Sequence, residues 1–142
     1  MDPQATADKV RDVMFADDAA SRMLGLQIAA IAPGRAVLTM TVRPDMLNGF
    51  AICHGGLIAT LADSAFAFAC NSRNALTVAS GFGIDILKSA KLHDVLTATA
   101  EETSLAGRTG LYDITVKNQN GDLIAMFRGR SYRLGERKVF EA

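Results

Sequence analysis

The segment 55–70 restricts the fold of this chain more than any other part of the sequence. It reads GGLIATLADSAFAFAC, and nearly every side chain after the two glycines is small or apolar. The alanines of this segment fall on all sides of a helix, and a helix without a polar face is predicted to be buried all round. The rest of the chain must therefore supply a layer that wraps around it.

Six segments outside this helix have the pattern of β-strands. Period-two alternation of residues rich in Val, Ile, Thr, Tyr and Phe predicts strands at 77–88, 94–104, 108–118 and 122–134. A hairpin is predicted at 26–32 and 35–42 around the Pro33-Gly34 turn, and a short helical segment at about 5–24. This order predicts an α+β fold in which one antiparallel sheet wraps one helix, with residues 1–142 forming a single domain.

Composition and charge exclude several classes of protein. Lys plus Arg and Asp plus Glu number 15 each, without a basic run, so no nucleic-acid partner is expected. No apolar run approaches the roughly 18 residues that span a bilayer, and the polar N-terminus lacks a secretory signal, so a cytoplasmic location without a membrane partner is expected. Cys53 and Cys70 form no CxxC pair and are predicted to be reduced thiols, and the two histidines lack metal-ligand spacing.

Asp63 is the one acid within the apolar helix. Burying a carboxylate costs several kcal/mol unless it is paired, hydrogen-bonded or placed in a wet cleft. The positions three and four residues away carry no Lys or Arg. Two interpretations stay open: a carboxylate satisfied by Thr60, Ser64 or backbone groups, or a general base or nucleophile in a pocket.

Gly55 and Gly56 stand where that helix begins. A helix N-terminus presents unpaired N–H groups and a partial positive charge, and glycine has no side chain to keep a carbonyl oxygen away from them. The pair can therefore form an oxyanion hole, or it can allow close packing of the helix against the sheet.

The spacing of Gly55 and Asp63 constrains how they can act together. Eight residues of helix place them about 12 Å apart along the axis, whereas a hydrogen-bond donor and a base that serve one carbonyl must both lie within a few ångströms of it. Two antiparallel copies of the helix can bring Gly55 of one copy to Asp63 of the other. The sequence thus predicts a dimer with two equivalent sites at the subunit interface.

The motifs around this helix are similar to those of a known family. They are NG at 48–49, HGG at 54–56, LAD at 61–63 and AFA at 65–67, followed by Asn71. Further matching stretches lie at 84–87, 96–100, 110–114 and 127–131. The pattern resembles the hotdog-fold acyl-CoA thioesterases, most closely those of phenylacetic acid degradation, over about residues 17–135.

The resemblance implies a long central helix wrapped by a curved antiparallel sheet, in obligate dimers that commonly pair into homotetramers, and the choice between dimer and tetramer stays open. It implies that the Gly55 amide polarises the thioester carbonyl and that Asp63 of the partner subunit activates water or attacks the carbonyl. Asn48, His54 and Gly56 would support the loop and the carbonyl site. The substrate would be phenylacetyl-CoA, hydroxyphenylacetyl-CoA or a medium-chain acyl-CoA, hydrolysed without a metal or organic cofactor.

Several points stay open at this stage. His93-Asp94 stands where the family usually has Gly-Asp, and a family Ser or Thr opposite the acid could correspond to Thr77 or Ser80. The cations that could bind the CoA phosphates are Arg43, Arg73, Lys88, Lys91 and Arg108. The candidates for an aryl pocket are Phe50, Leu57, Phe66, Phe68 and Phe82. The alternative functions are a hotdog-fold enoyl-CoA hydratase or dehydratase and a non-catalytic acyl-CoA-binding protein.

Overall fold

Three α-helices and six strands follow one another along residues 1–141, the part of the chain that the computed structural model describes. The helices are α1 (Pro3–Asp17), α2 (Ala19–Met23) and α3 (Gly55–Asn71). The strands are β1 (Gln27–Ala32), β2 (Arg35–Thr41), β3 (Thr77–Ile86), β4 (Val95–Ala106), β5 (Thr109–Lys117) and β6 (Leu123–Arg133). A single 3₁₀ turn, Pro44–Met46, precedes the loop that leads into α3.

The six strands form one antiparallel sheet in the order β1-β2-β4-β5-β6-β3. Helix α3 packs against five of the strands, β2 to β6, and more weakly against β1. The sheet therefore curves around α3, as the apolar sequence of that helix requires, and the predicted hotdog architecture is confirmed. The strand β3, which follows the helix in the chain, lies at an edge of the sheet with β6 as its one partner in the described residues.

Strand boundaries differ from the prediction by at most two residues. Strand β4 continues to Ala106, so that the turn into β5 shrinks to two residues around Gly107, whose φ is 63°. Strand β3 stops at Ile86 because the next two amides, of Leu87 and Lys88, both donate to Ile124 O, which bends the chain out of the ladder.

The N-terminal segment forms two helices because Asp18 interrupts it. The Asp18 side chain accepts a hydrogen bond from Ser21 N and thereby caps α2. Further along, the turn before β4 places His93 at φ 73°. That left-handed conformation costs more conformational energy for a histidine than for the glycine usual in the family. The departure from the family pattern at His93-Asp94 therefore places a strained residue in this turn.

A cluster of aromatic rings holds α3 against the sheet. Phe66 lies 5.5 Å from Tyr112 and 6.0 Å from Phe127 between ring centroids. The ring of Phe66 also covers Gly129, where an added Cβ would lie 2.8 Å from ring carbons.

Gly129→Ala is expected to lower the free energy of unfolding by about 1–3 kcal/mol, because a methyl group there forces the buried Phe66 ring out of its packing. Gly83→Ala is the matched control on the neighbouring strand, since an added Cβ meets no atom within 4 Å. Urea denaturation of both variants measures the difference. Equal stability of the two variants would contradict the packing described.

Candidate active site

The start of α3 leaves one backbone amide free. His54 is the N-cap, and its Nδ1 accepts a hydrogen bond from Gly56 N at 3.1 Å. The next two amides, of Leu57 and Ile58, donate to His54 O. Among the hydrogen bonds of residues 1–141, none uses the Gly55 N–H, so the two glycines are not equivalent and Gly55 alone presents an available donor.

Gly55 also packs closely against the sheet. An added Cβ would lie 2.8 Å from Ile86 Cδ1 at the end of β3. The lack of a side chain thus allows the helix start to pack closely against β3, while the Gly55 amide has no hydrogen-bond partner in the described chain.

The loop before α3 is held by Asn48. Its Oδ1 accepts hydrogen bonds from Phe50 N at 2.9 Å and Ile52 N at 3.4 Å, and a backbone bridge between Leu47 and Cys53 closes the loop. The amide of His54 donates to Met46 O at 2.8 Å, which anchors the loop to the chain before it. Asn48 and His54 thus both hold the loop that precedes Gly55 through hydrogen bonds to the backbone.

Asp63 lies on the partly open face of α3, two turns from Gly55. Its carboxylate makes no hydrogen bond and no ion pair with any residue of the described chain. The two neighbours that could satisfy it are engaged elsewhere, since Thr60 Oγ1 donates to Gly56 O at 2.9 Å and Ser64 Oγ bonds Ser21 Oγ at 2.9 Å. The interpretation of Asp63 as a locally satisfied structural acid is therefore wrong.

A cavity of about 330 Å³ opens beside Asp63. It lies between α3, the start of β3 and the two terminal segments of the chain. Its walls are mainly apolar and are formed by Met14, Phe66, Ala67, Cys70, Asn71, Leu76, Thr77, Val78, Ala79 and Val139. An acid without a partner thus faces an apolar space large enough for a small organic group.

The surroundings of this cavity raise the pKa of its acidic groups. Burial raises the pKa of the Asp63 carboxyl above its ordinary value, and the like charge of Asp18 raises it further. Burial raises the pKa of the Cys70 thiol to about 12, so Cys70 is not a thiolate at neutral pH. The carboxylate is consequently the group of this cavity that can act as a base or nucleophile.

The hydroxyl groups on β3 do not face Asp63 as free donors. Thr77 lines the cavity, but its Oγ1 donates to Ala75 O at 2.8 Å. Ser80 sits at a bulge in the pairing of β3 with β6 and donates to Arg130 O at 3.2 Å, beside a different cavity. Ala79, which precedes Ser80 in the chain, lines the Asp63 cavity and has no hydroxyl group.

Of the five candidates for an aryl pocket, Phe66 alone lines this cavity in one chain. Phe68 is buried in the core against Phe15, and Leu57 packs on the core. Phe82 stacks on Phe127, and Phe50 is 86% exposed at the tip of the loop held by Asn48.

Of the five candidate cations, two line a common cavity and the other three lie elsewhere. Arg43 bonds Asp45 and Met23 O, and Lys88 pairs with Asp122. Lys91 is exposed on the loop before β4. Arg73 and Arg108, far apart in the sequence, line one cavity together.

Sequence reasoning missed three residues of this region. Met14 and Val139 line the Asp63 cavity from opposite ends of the chain, and Asp18 acts on the pKa of Asp63 from the segment between α1 and α2. No local pattern marks them, because their relation to Asp63 depends on long-range packing. The clustered acids at 12, 17 and 18 were the one signal available for Asp18.

No helix within residues 1–141 is both long and apolar enough to cross a membrane. In the same part of the chain, no three His, Cys, Asp or Glu side chains lie close enough together to hold a metal ion.

A curved six-stranded antiparallel sheet wrapped around one central helix is the hotdog fold. The chain belongs to the thioesterase superfamily, whose sequence profile matches residues 50–125. It is a thioester hydrolase.

Individual relatives agree with this assignment. The acyl-coenzyme A thioesterase PaaI of Escherichia coli is 47% identical over 122 residues, which cover 86% of this chain and 87% of the relative. The solved structure of the E. coli PaaI protein, from the phenylacetic acid degradation operon, matches with a TM-score of 0.93 and 43% identity over 96% of this chain and 99% of that chain.

Two more distant structures share the fold. The phenylacetic acid degradation protein PaaI of Thermus thermophilus matches with a TM-score of 0.79 and 38% identity, over 82% of this chain and all of that chain (100%). A hypothetical thioesterase of Streptococcus pneumoniae, solved with coenzyme A, matches with a TM-score of 0.76 and 28% identity over 80% of this chain and 91% of that chain.

Proposed function

We propose that this chain hydrolyses acyl-CoA thioesters, with phenylacetyl-CoA, hydroxyphenylacetyl-CoA or a similar aryl or medium-chain acyl-CoA as substrate. The observation that carries the proposal is the pair of unpartnered groups on α3, the Gly55 N–H and the Asp63 carboxylate. Both are held in place by their surroundings, and neither has a partner in the described chain. The relatives support the substrate class, since one is named an acyl-coenzyme A thioesterase and another was solved with coenzyme A.

The site is completed by a second copy of the chain. Helix α3 is continuous from Gly55 to Asn71, so the two groups of one chain lie about 12 Å apart along its axis and cannot act on one carbonyl. The edge strand β3 offers the contact, because it exposes Val78, Phe82 and Ile86 at 43%, 50% and 46% beside an unpaired backbone edge. Antiparallel pairing of two β3 strands sets the two α3 helices antiparallel, and pairing of such dimers gives the expected homotetramer.

The reaction then uses both groups on one carbonyl. The Gly55 N–H donates to the thioester oxygen, and the partner subunit's Asp63 takes a proton from a water molecule that attacks the carbonyl carbon. The tetrahedral oxyanion forms at the positive end of α3. Its collapse breaks the carbon–sulfur bond, and the proton on Asp63 passes to the departing CoA sulfur. Direct attack by Asp63, followed by hydrolysis of the resulting anhydride, uses the same two groups.

The acyl group is proposed to bind in the cavity beside Asp63. Phe66, Leu76 and Val139 give it apolar walls, and its volume of about 330 Å³ accommodates a phenyl ring. The role of the E. coli relative in a phenylacetic acid degradation operon supports an aryl-acetyl group and a place in phenylacetate degradation. The free thiols Cys53 and Cys70 suit the cytoplasmic location that the sequence predicts.

A panel of acyl-CoA esters, assayed with a thiol-reactive dye, tests the function. Phenylacetyl-CoA is expected to give a higher kcat/KM than acetyl-CoA, because the cavity buries the ring. Hydration of a 2-enoyl-CoA would instead favour the hydratase alternative, although His54 Nδ1 is occupied by Gly56 N. Binding of the esters without release of thiol would leave a non-catalytic binding protein and overturn the proposal.

Mixed dimers test whether the site is shared. A subunit with Asp63→Asn and a subunit with Gly55→Pro are each expected to be inactive alone. Mixed dimers, co-expressed and purified through two different tags, are expected to recover about half of the wild-type activity, since symmetry leaves one of their two sites intact. Mixed dimers as inactive as the parents would place both groups of each site in one chain.

The pH dependence of kcat/KM is expected to follow the ionisation of Asp63. Burial, and then the charge of Asp18, raise the pKa of Asp63, so the ionised base forms at higher pH than an exposed Asp would. Asp18→Asn removes the like charge, lowers the pKa of Asp63 and is expected to extend activity to lower pH. Asparagine also caps helices well, which preserves α2.

Asp12→Asn on the exposed face of α1 is the control for this shift, because it changes the net charge equally. If the acid limb of the profile of kcat/KM against pH moves equally in Asp18→Asn and Asp12→Asn, a specific effect of Asp18 on Asp63 is contradicted. Profiles of kcat/KM against pH for the wild type and both variants make the measurement.

A further inference from the structure

A second cavity lies at the C-terminal end of α3 and has no part in the mechanism above. Its volume is about 210 Å³, and it is lined by Cys70, Arg73, Ala75, Thr77, Leu105, Gly107, Arg108, Tyr112, Ser131 and Arg133. We call it the arginine cavity after Arg73, Arg108 and Arg133. Cys70 and Thr77 also line the Asp63 cavity, so the two spaces adjoin across that wall.

The arginines of this cavity are incompletely paired within residues 1–141. The Nε of Arg133 is buried and has no hydrogen-bond partner there. Arg108 is exposed on the turn between β4 and β5 and makes no ion pair with the described residues. Arg73 pairs with Glu102, which also accepts the Tyr112 hydroxyl hydrogen bond at 3.2 Å.

The charges and polar groups of the cavity favour an oxyanion. Three guanidinium groups and the one carboxylate of Glu102 leave a net positive charge of two. No ion pair with the described residues neutralises the Arg133 guanidinium, so its charge is available to an anion in the cavity. Ser131, 1% exposed in the same wall, adds a hydroxyl.

We propose that the arginine cavity binds a phosphoryl group. The planar guanidinium fork matches the oxygens of a phosphate and forms charge-assisted hydrogen bonds with them. A net charge of two matches a dianionic phosphate better than a single carboxylate. The cavity volume suits a phosphate or diphosphate group.

The phosphoryl group has two possible sources, a phosphate of the CoA substrate or free inorganic phosphate. The first source rests on the proposed function. From Asp63 to the end of α3 is about 12 Å along the axis, and the pantetheine arm that separates the CoA sulfur from its diphosphate can cover such a distance.

Titration of the full-length chain with inorganic phosphate and pyrophosphate, followed by calorimetry, tests the site without any turnover. Arg133→Gln is expected to weaken binding by about tenfold or more, as loss of a charge-assisted hydrogen bond does. Arg108→Gln, on an exposed turn where folding is not at risk, is expected to weaken binding in the same direction. Arg128→Gln is the matched control, since Arg128 lies on the same strand but pairs with Asp113.

Kinetics with two substrates distinguish the sources. If the substrate supplies the phosphoryl group, Arg133→Gln raises KM for an acyl-CoA at unchanged kcat. It then leaves KM for the matching S-acyl-pantetheine, which lacks phosphates, unchanged. If free phosphate is the ligand, Arg133→Gln weakens the phosphate titration and changes neither KM. Equal phosphate binding and equal KM values for the wild type, Arg133→Gln and Arg108→Gln would overturn the proposal.

Discussion

Asp63→Asn is expected to lower kcat for phenylacetyl-CoA by about 10²- to 10⁴-fold, the range that loss of a general base produces. The amide keeps the shape of the carboxylate but cannot take a proton from water. KM is expected to change little, because the acyl group contacts the apolar walls of the cavity. Steady-state assays with the thiol-reactive dye give both constants.

Stability separates this effect from a folding defect. The folded-state pKa of Asp63 lies above its ordinary value, so its contribution to stability is present at low pH and is lost as the pH rises through that pKa. Asparagine does not ionise, so the variant avoids this loss of stability. Its Tm at neutral pH is therefore expected to be no lower than that of the wild type. Asp12→Asn should keep full activity. Wild-type hydrolysis by a folded Asp63→Asn variant would remove Asp63 from the mechanism.

Gly55→Pro is expected to lower kcat by about 10²- to 10³-fold, as removal of one oxyanion-hole donor does. Gly55 is the first residue of α3, where proline is tolerated because its missing N–H has no partner in the helix. His54 already has φ −60° and ψ 130°, the extended conformation that a residue before proline prefers. The substitution therefore deletes the proposed donor and preserves the helix.

Gly55→Ala is the matched control for this variant. Alanine adds a Cβ that meets Ile86 Cδ1 just as the proline ring would, but it keeps the N–H. Both variants should disturb packing against β3 to a similar degree, whereas proline alone should abolish carbonyl activation. Equal losses of kcat for Gly55→Ala and Gly55→Pro would assign Gly55 to packing and not to catalysis.

Much of the fold could be predicted because its elements follow local patterns. The apolar sequence from Gly55 onward and the alternating segments after residue 76 each specify a helix or a strand through the periodicity of their side chains. Boundaries were less certain, since they depend on distant partners. Strand β3 stops at Ile86 only because Ile124 O accepts hydrogen bonds from the amides of the next two residues.

The candidate site also has features that the sequence predicts and features that depend on the tertiary structure. Gly55, Asp63 and their separation follow from one continuous helix, so the hypothesis of a site shared between two copies could be formed from the sequence. The side on which Ser80 lies could not be predicted, because a bulge at Ala79 and Gly81 shifts the register of β3. The sequence also could not predict which of the two glycine amides lacks a partner, because this depends on His54 Nδ1 accepting the Gly56 N–H.

A buried helix, the strands around it and an acid on that helix with no neighbour to pair it could all be predicted, because they depend on spacing within about two helical turns or one strand. The surroundings of the acid depend instead on the long-range packing of the chain. This packing places Met14 and Val139 in one cavity wall, brings Asp18 near Asp63 and gathers Arg73, Arg108 and Arg133 around another cavity. Such contacts join residues far apart in the chain, and they arise from the curvature of the whole sheet around α3.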